Sequence, residues 1–297
     1  VTESMQLPAA QPFDLRASLR AMAYFRPADI DDQTIDGDRV RKALAVRRGA
    51  KDAAVVVDVS PEGDGVRVEA HNARKAELPA IGRMVADWLS LDDDPGPFLR
   101  IAAKDPPMRD ILAATRGLHQ VRFPSLPEGV CYFMLTHRTS QAVAAGRKRR
   151  IAAAYGPRLT VGGAEHVAFP TLETLAGLTA GELRPYAAND QQANRLAAAI
   201  AGVNDLGEEW LREAPTGEVL TALRRIHGIG EFTASAIALR VLGRPVSPPL
   251  TMPQFAGVIE QVYQGRRTAD ELTKAYGEQV AHWTYVSRTG LGWLERT

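Results

Sequence analysis

The chain has 297 residues, 45% of them hydrophobic, and balances 36 Lys and Arg against 35 Asp and Glu for a net charge of +1. That apolar content excludes global disorder, the length accommodates two domains, and no window approaches the ~20 apolar residues of a membrane span. Near-neutrality neither demands nor forbids a nucleic-acid partner, so any basic patch must be local.

Met5 to Arg16 lacks the apolar run of a secretory signal, which predicts a soluble cytoplasmic protein. Residues 54–70 read AVVVDVSPEGDGVRVEA. Val55, Val57 and Val59 alternate, as do Val66, Val68 and Ala70, around a Pro-Glu-Gly-Asp-Gly turn: a β-hairpin signal. Ile81, Met84, Val85, Trp88 and Leu89 then mark one face of a helix. DDDPGP at 92–97 breaks the chain and predicts a boundary, with an α/β domain over 1–97 and an all-α domain over 98–297. Helices are expected near 107–117, 130–155, 171–178, 180–200, 205–213, 216–226, 231–243, 252–263, 268–276 and 278–295.

The single cysteine, Cys131, sits among apolar neighbours and reads as a small buried hydrophobe in a reducing compartment. From Gly129 through Ala164 there is no Asp or Glu, while Arg138, Arg147, Lys148, Arg149, Arg150 and Arg158 all occur. This is a local basic patch suited either to phosphates or to a solvated helix face. Around it Ala142, Ala144, Ala145, Ile151 and Ala152 are expected to face the core.

Val219, Leu223 and Ile226 precede Gly228-Ile229-Gly230, and Phe232, Ala236 and Leu239 follow at the same helical spacing. Two short helices joined through a Gly-apolar-Gly turn bring backbone close to a ligand. The second helix then opens with free N–H groups that suit a phosphate, while Ile229 plugs the space between the helices. A plain helical corner has the same short pattern; the longer string IHGIGEFTASAIALR argues against it. The six histidines lack metal-ligand spacing, no cysteine cluster exists for an iron–sulfur centre, and neither a P-loop nor a dinucleotide fingerprint occurs.

With these residues in view, the chain resembles the helix-hairpin-helix DNA glycosylases, and most of all their 3-methyladenine DNA glycosylase II branch. Besides the hairpin, the resemblance rests on VCYFMLTHRTSQAVAAGRKRRIAAAYG at 130–156, VAFPTLETLAGLTAGELRPY at 167–186 and AHWTYVSRTGLGWLE at 281–295. It implies a mainly α protein with an N-terminal α/β domain of TATA-binding-protein-like shape. It also implies a monomer that acts on double-stranded DNA containing damaged, alkylated bases, associates with the nucleoid when bound, and takes no cofactor beyond a monovalent cation at the hairpin. Such enzymes flip the damaged nucleotide out of the stack and cut its N-glycosidic bond.

Carried over by motif, the wedge that fills the vacated stack falls on Arg138 with His137 beside it. The base pocket falls on Phe232, Trp283 and Tyr285, and phosphate contacts fall on Gly228, Ile229, Gly230, Thr233, Arg147 and Lys148. The family's catalytic Asp, about two dozen residues after the first hairpin glycine, falls near Thr251-Met252 in SPPLTMPQF. No Asp or Glu occurs between Glu231 and Glu260. Glu231, Glu260 and Glu278 are the replacement acids to weigh, and His137 and His282 also come into question as pocket groups. The lysine that gives bifunctional relatives lyase activity is replaced by Phe232, so no β-lyase activity is expected. Three readings stand: a monofunctional glycosylase with an unusual site, a non-catalytic binder of damaged DNA, or an enzyme that reuses the flipping pocket for other nucleotide chemistry.

Overall fold

The computed structural model describes residues 1–24 and 33–296. Five antiparallel strands, β1 (Thr2–Pro8), β2 (Thr34–Asp36), β3 (Arg39–Arg48), β4 (Lys51–Glu62) and β5 (Gly65–His71), pair in the order β1-β5-β4-β3-β2. The expected hairpin is β4–β5; its ladder continues to Pro61 opposite Val66 and Glu62 opposite Gly65, so the turn is tighter than the Pro-Glu-Gly-Asp-Gly stretch suggests. Val55, Val57, Val59, Val66, Val68 and Ala70 form one face of a core with α1 (Leu15–Met22) and α2 (Leu78–Leu89). Helix α2 buries Ile81, Val85, Trp88 and Leu89 and ends where Ser90 turns left-handed at φ 53°. Val56, on the opposite face of β4, is equally buried, because the hairpin β6 (Arg158–Val161) and β7 (Ala164–Val167) covers it with Ala43, Ala54 and Ala168. A strand covered on both faces loses strict alternation, which is why the run reads AVVVDV.

The remaining elements are helices: α3 (Gly96–Ala102), α4 (Arg109–Ala114), α5 (Leu126–Leu135), α6 (Gln141–Tyr155), α7 (Leu172–Ala176), α8 (Ala180–Leu183), α9 (Asp190–Leu206), α10 (Glu208–Glu213), α11 (Thr216–Arg225), α12 (Glu231–Arg240), α13 (Pro253–Tyr263), α14 (Ala269–Tyr276) and α15 (Val280–Leu294). They build two cores. One joins α5, α6, α9, α11 and α12; the other joins α3, α4, α13, α14 and α15. Leu118, Val121 and Trp293 cross into the sheet's core, tying the helical part to the N-terminal part. The fold is therefore mainly α with an N-terminal α/β unit. Among the described residues no helix is long and apolar enough to cross a membrane.

The helix expected over 130–155 is two helices. After α5 the chain turns through 136–140, and α6 restarts with the Ser140 hydroxyl accepting from Val143 N–H at 3.4 Å. Ala144, Ala145 and Ile151 face the core as expected; Ala152 is half-buried and Ala142 is exposed, because α6 begins only at Gln141. The stretch 180–200 is likewise divided, with α9 starting at Asp190 behind an Asn189 cap.

Candidate nucleic-acid interface

Helices α11 and α12 meet at the Gly228-Ile229-Gly230 turn. Gly228 has φ +90°, a conformation that side chains resist, and a Cβ there would come within 2.8 Å of the Arg195 side chain. Gly230 has open space around it. Ile229 is buried between the helices, and its N–H donates to Ile226 O at 3.1 Å. Helix α12 closes its first turn with Ala234 N–H on Gly230 O at 2.9 Å, so the N–H groups of Glu231, Phe232 and Thr233 open the helix without intrahelical partners. With the dipole of α12 they form an electropositive end that a phosphate suits.

Beside this turn lies an open cleft of about 720 Å³. His137, Arg195, Arg224, Arg225, Glu231 and Phe232 help to line it. Phe232 is 60% exposed, an aromatic face left in solvent next to four hairpin residues. His137 Nε2 lies 2.9 Å from Thr233 Oγ1, joining the turn after α5 to the first turn of α12. Burial, and then the Arg195 charge, hold the His137 pKa below the ordinary histidine value, so its imidazole is neutral near pH 7. Arg138, its neighbour, is exposed with φ +51°. A non-glycine residue held left-handed is strained, and here the strain pushes an arginine out at the tip of a turn beside the cleft. That turn is held from below. Gln192 Nε2, buried on α9, lies 3.3–3.4 Å from the carbonyl oxygens of Met134, Leu135 and His137. Arg147 Nη1 donates to Gln192 Oε1 at 3.1 Å and to Thr139 Oγ1 at 3.4 Å.

The structure corrects several site assignments. Lys148 is not a phosphate ligand: it is 1% exposed, and its Nζ lies 2.6 Å from Glu128 Oε1. Lys42 from β3 joins the same carboxylate at 3.7 Å. Arg147 is directed to Gln192 and Thr139, and Arg150 donates to Pro185 O at 2.8 Å. The basic run on α6 thus serves mainly the inside of the protein. Cations line the hairpin cleft instead from Arg195, Arg224 and Arg225, which sequence reasoning passed over. Arg224 and Arg225 directly precede the hairpin and were visible; Arg195 is 33 residues upstream of Gly228 and only the fold brings it there.

Trp283 is fully buried and its indole N–H donates to Tyr263 Oη at 3.1 Å, so it offers no open stacking face to the cleft. The Tyr285 hydroxyl accepts Val121 N–H at 3.1 Å, and its ring receives the Arg240 guanidinium at 5.4 Å. Neither residue lines the hairpin cleft; of the three pocket aromatics only Phe232 does. Ile229 and the Thr233 side chain are also buried; the Ile229 N–H is taken by Ile226 O, so of these two residues only Thr233 can offer an anion its backbone N–H.

Thr251 and Met252 lie at the start of α13, where Met252 is the N-cap residue without a side-chain cap bond. An Asp there would cap the helix; this sequence leaves the position without a carboxylate. Glu231, Glu260 and Glu278 are exposed, and Glu231 alone of the three borders the cleft. His282 stacks on Phe98 at 5.8 Å, and burial lowers its pKa. Among the described residues no group of three or more His, Cys, Asp or Glu is placed to hold a metal ion. The hairpin offers a monovalent cation only backbone carbonyls, and Ile226 O is already engaged by Ile229 N–H.

Comparison with known proteins agrees with this fold. No protein-family model matches the chain. It is 26% identical over 172 residues to the DNA-3-methyladenine glycosylase of Bacillus subtilis, covering 57% of each chain. It is 27% identical over 252 residues to the probable bifunctional transcriptional activator/DNA repair enzyme AlkA of Mycobacterium tuberculosis, covering 84% of this chain and 48% of that protein. The chain thus spans less than two thirds of either relative. Among solved structures it is similar to a 3-methyladenine DNA-glycosylase from Archaeoglobus fulgidus, with a TM-score of 0.74 and 22% identity over 96% of this chain and 97% of that one. It is also similar to the Clostridium acetobutylicum 8-oxoguanine glycosylase/lyase in complex with double-stranded DNA containing cytosine opposite 8-oxoG, with a TM-score of 0.60 and 17% identity over 89% of this chain and 98% of that one.

Proposed function

We propose that this chain, whose fold and sequence are similar to those of 3-methyladenine DNA glycosylases, is a helix-hairpin-helix DNA glycosylase that binds duplex DNA carrying alkylated bases and releases the damaged base by hydrolysis. The observation that carries this reading is the conjunction at one cleft of the α12 N-terminus and an exposed Phe232, with the left-handed Arg138 next in sequence to His137 of the cleft wall. In this reading the N–H groups at the hairpin hold a phosphate beside the lesion, with Arg195 adding charge. The Arg138 guanidinium enters the stack vacated by the extruded nucleotide, which offsets the few kcal/mol of unstacking. Phe232 supplies a π-face to a base made electron-poor by alkylation. A cationic alkylated purine is a good leaving group, which suits a site with less electrostatic help. The absent carboxylate is expected to cost roughly 10²–10³-fold in rate against a site that has one. No lysine stands at Phe232 to form a Schiff base, so the strand is left with an intact abasic site.

A second reading, a non-catalytic binder of damaged DNA, is favoured by one observation: no Asp or Glu lies between Glu231 and Glu260. Abasic-site formation on duplexes with single defined lesions, measured alongside binding, separates the two. Protein-dependent release of base supports the glycosylase; lesion-selective binding without release supports the binder; neither binding nor release overturns both.

A further inference from the structure

A second cavity, of about 550 Å³, shares no residue with the hairpin cleft. Arg100 and Lys104 from the α3 region, Arg267 before α14, Asp105, Ile101 and Tyr276 help to line it. Asp105 is 5% exposed. Its Oδ2 accepts hydrogen bonds from the Tyr263 hydroxyl at 2.6 Å and the Tyr276 hydroxyl at 2.8 Å. Its Oδ1 is buried and makes no hydrogen bond; it faces Arg267 Nη2 at 3.8 Å, too long for one. A carboxylate oxygen left in that state is unsatisfied, and a donor that reaches it gains more than it would from a solvated partner. Burial, and for Tyr263 also its bond to Asp105, push both tyrosine pKa values up, so both phenols remain donors across the physiological range.

The remaining chemistry is cationic. Arg100 and Lys104 are exposed and have no ion-pair partner among the described residues. Three cations and one carboxylate thus line the cavity; of the cations only Arg267 approaches the carboxylate, and Asp105 Oδ2 is already hydrogen-bonded. A simple cation would meet repulsion here, and a bare anion would leave Asp105 Oδ1 as it is. A ligand that fits carries an anionic group for Arg100, Lys104 and Arg267, an N–H donor for Asp105 Oδ1, and a flat apolar body for Ile101 and Tyr276. We propose that this cavity is a second binding site, and that its ligand is a nucleotide: a phosphate on the three cations, a base against Ile101 and Tyr276, and a base N–H on Asp105. Arg267 is the gate of the arrangement. Drawn onto the phosphate, it uncovers Oδ1 for the base.

The same chemistry exists in a free nucleotide and in a nucleotide of a DNA strand, and calorimetric titration of the full chain with the four deoxynucleoside 5′-monophosphates tests it. Saturable one-to-one binding is expected. It weakens at least tenfold in the double variant Arg100→Glu, Lys104→Glu, both surface positions, with an unchanged melting temperature. It persists in Gly230→Asp, which places a carboxylate at the other cleft, so failure here is distinguishable from failure of the hairpin reading. Deoxyribose 5-phosphate, which has no base, is expected to bind at least tenfold more weakly than the best nucleotide. In the Gly230→Asp protein, displacement of the monophosphate by a short single-stranded oligonucleotide assigns the site to a DNA strand; failure to displace assigns it to free nucleotides. Absence of binding by all four monophosphates, undiminished affinity in the double variant, or equal affinity for deoxyribose 5-phosphate overturns the proposal.

Discussion

The side chain of Arg195 lies against Gly228, so near that a Cβ on the glycine would come within 2.8 Å of its Cβ and 2.9 Å of its Cγ. The hairpin glycine is thus fixed twice, by φ +90° and by a neighbour from α9. Gly228→Ala is expected to lower stability by about 1–3 kcal/mol and to weaken DNA binding, since the turn must move to relieve both conflicts. Gly230 has neither constraint. Gly230→Asp should fold normally and still abolish DNA binding, because its carboxylate would face the phosphate. Melting curves beside duplex affinity check the pair, and unchanged affinity of a folded Gly230→Asp protein removes the hairpin contact.

Arg195 should contribute to affinity without contributing to sequence choice. It sits on the wall of the cleft, where the proposed function has it face backbone charge. Arg195→Gln is expected to reduce the slope of log affinity against log salt by about one, and to weaken lesion and undamaged duplexes alike. A slope equal to that of the unmodified protein places Arg195 away from the DNA.

Much of this site was legible in the sequence because hairpin and cap rules are local. Gly228-Ile229-Gly230, Val219 and Leu223 on α11 and the exposed Phe232 are set by residues within two turns of one another; on α12 the spacing Phe232, Ala236 and Leu239 picked the wrong face, and Thr233, Ala234, Ile237 and Ala238 are the buried ones. The basic patch misled for the opposite reason. A run such as Arg147 to Arg150 shows charge but not direction, and α6 points Lys148 inward to Glu128 while tying Arg147 to Gln192. Trp283 is similar: the sequence places it on a helix, and only its tertiary partners Tyr263 and Tyr276 show that its ring is closed off. The turn at 136–140, THRTS, was hidden because it holds neither Gly nor Pro and stands between two helix-compatible runs.

That turn gives the third prediction. Gln192 and Arg147 act as positioning residues: they support the carbonyls beneath Arg138 and need not touch DNA. Gln192→Ala leaves three carbonyls without this partner and frees Arg138 from its left-handed conformation. Duplex binding should persist, whereas the fluorescence rise of a 2-aminopurine placed beside the lesion, which reports extrusion, should fall. Arg147→Lys should restore less of this signal than the unmodified residue, because one ammonium does not match a guanidinium spanning Gln192 and Thr139. Parallel loss of binding and extrusion would instead mean that the variant merely unfolds the region.

Stability on the acid side should depend on Asp52. It accepts Thr171 N–H at 2.9 Å and the Thr171 hydroxyl at 2.7 Å, which fastens the sheet to the connector before α7. Burial acts to raise its pKa, but the Thr171 bonds and Arg47 outweigh this and hold it below the ordinary carboxylate value. A carboxylate depressed in the folded state binds its proton more readily when unfolded. Its stabilisation is therefore fully present above the unfolded value of about 3.9 and is lost as pH falls through the lower folded value. Asp52→Asn should flatten the loss of stability below about pH 4. Denaturation at pH 3 and pH 7 for both proteins measures it, and an identical pH dependence contradicts the linkage.

The final prediction concerns Glu128, a buried carboxylate shared by Lys148 and Lys42. Burial pushes its pKa up, and the two ammonium groups outweigh that and keep it low, so it is ionised at neutral pH. Removing the carboxylate charge takes away a partner that two buried lysines share at the junction of β3, α5 and α6. Glu128→Gln should cost about 3–5 kcal/mol, the range for a buried ion pair broken on one side. Replacing all three residues together with apolar ones of similar volume should cost far less and can be neutral, because the desolvation penalty disappears with the charges. Chemical denaturation of the single and triple variants distinguishes a junction that needs this carboxylate to compensate its lysines from one in which the ions stabilise outright. If the triple variant is as damaged as Glu128→Gln, the ions themselves hold the junction; if it recovers, the carboxylate's task is to neutralise charges that the fold has already buried.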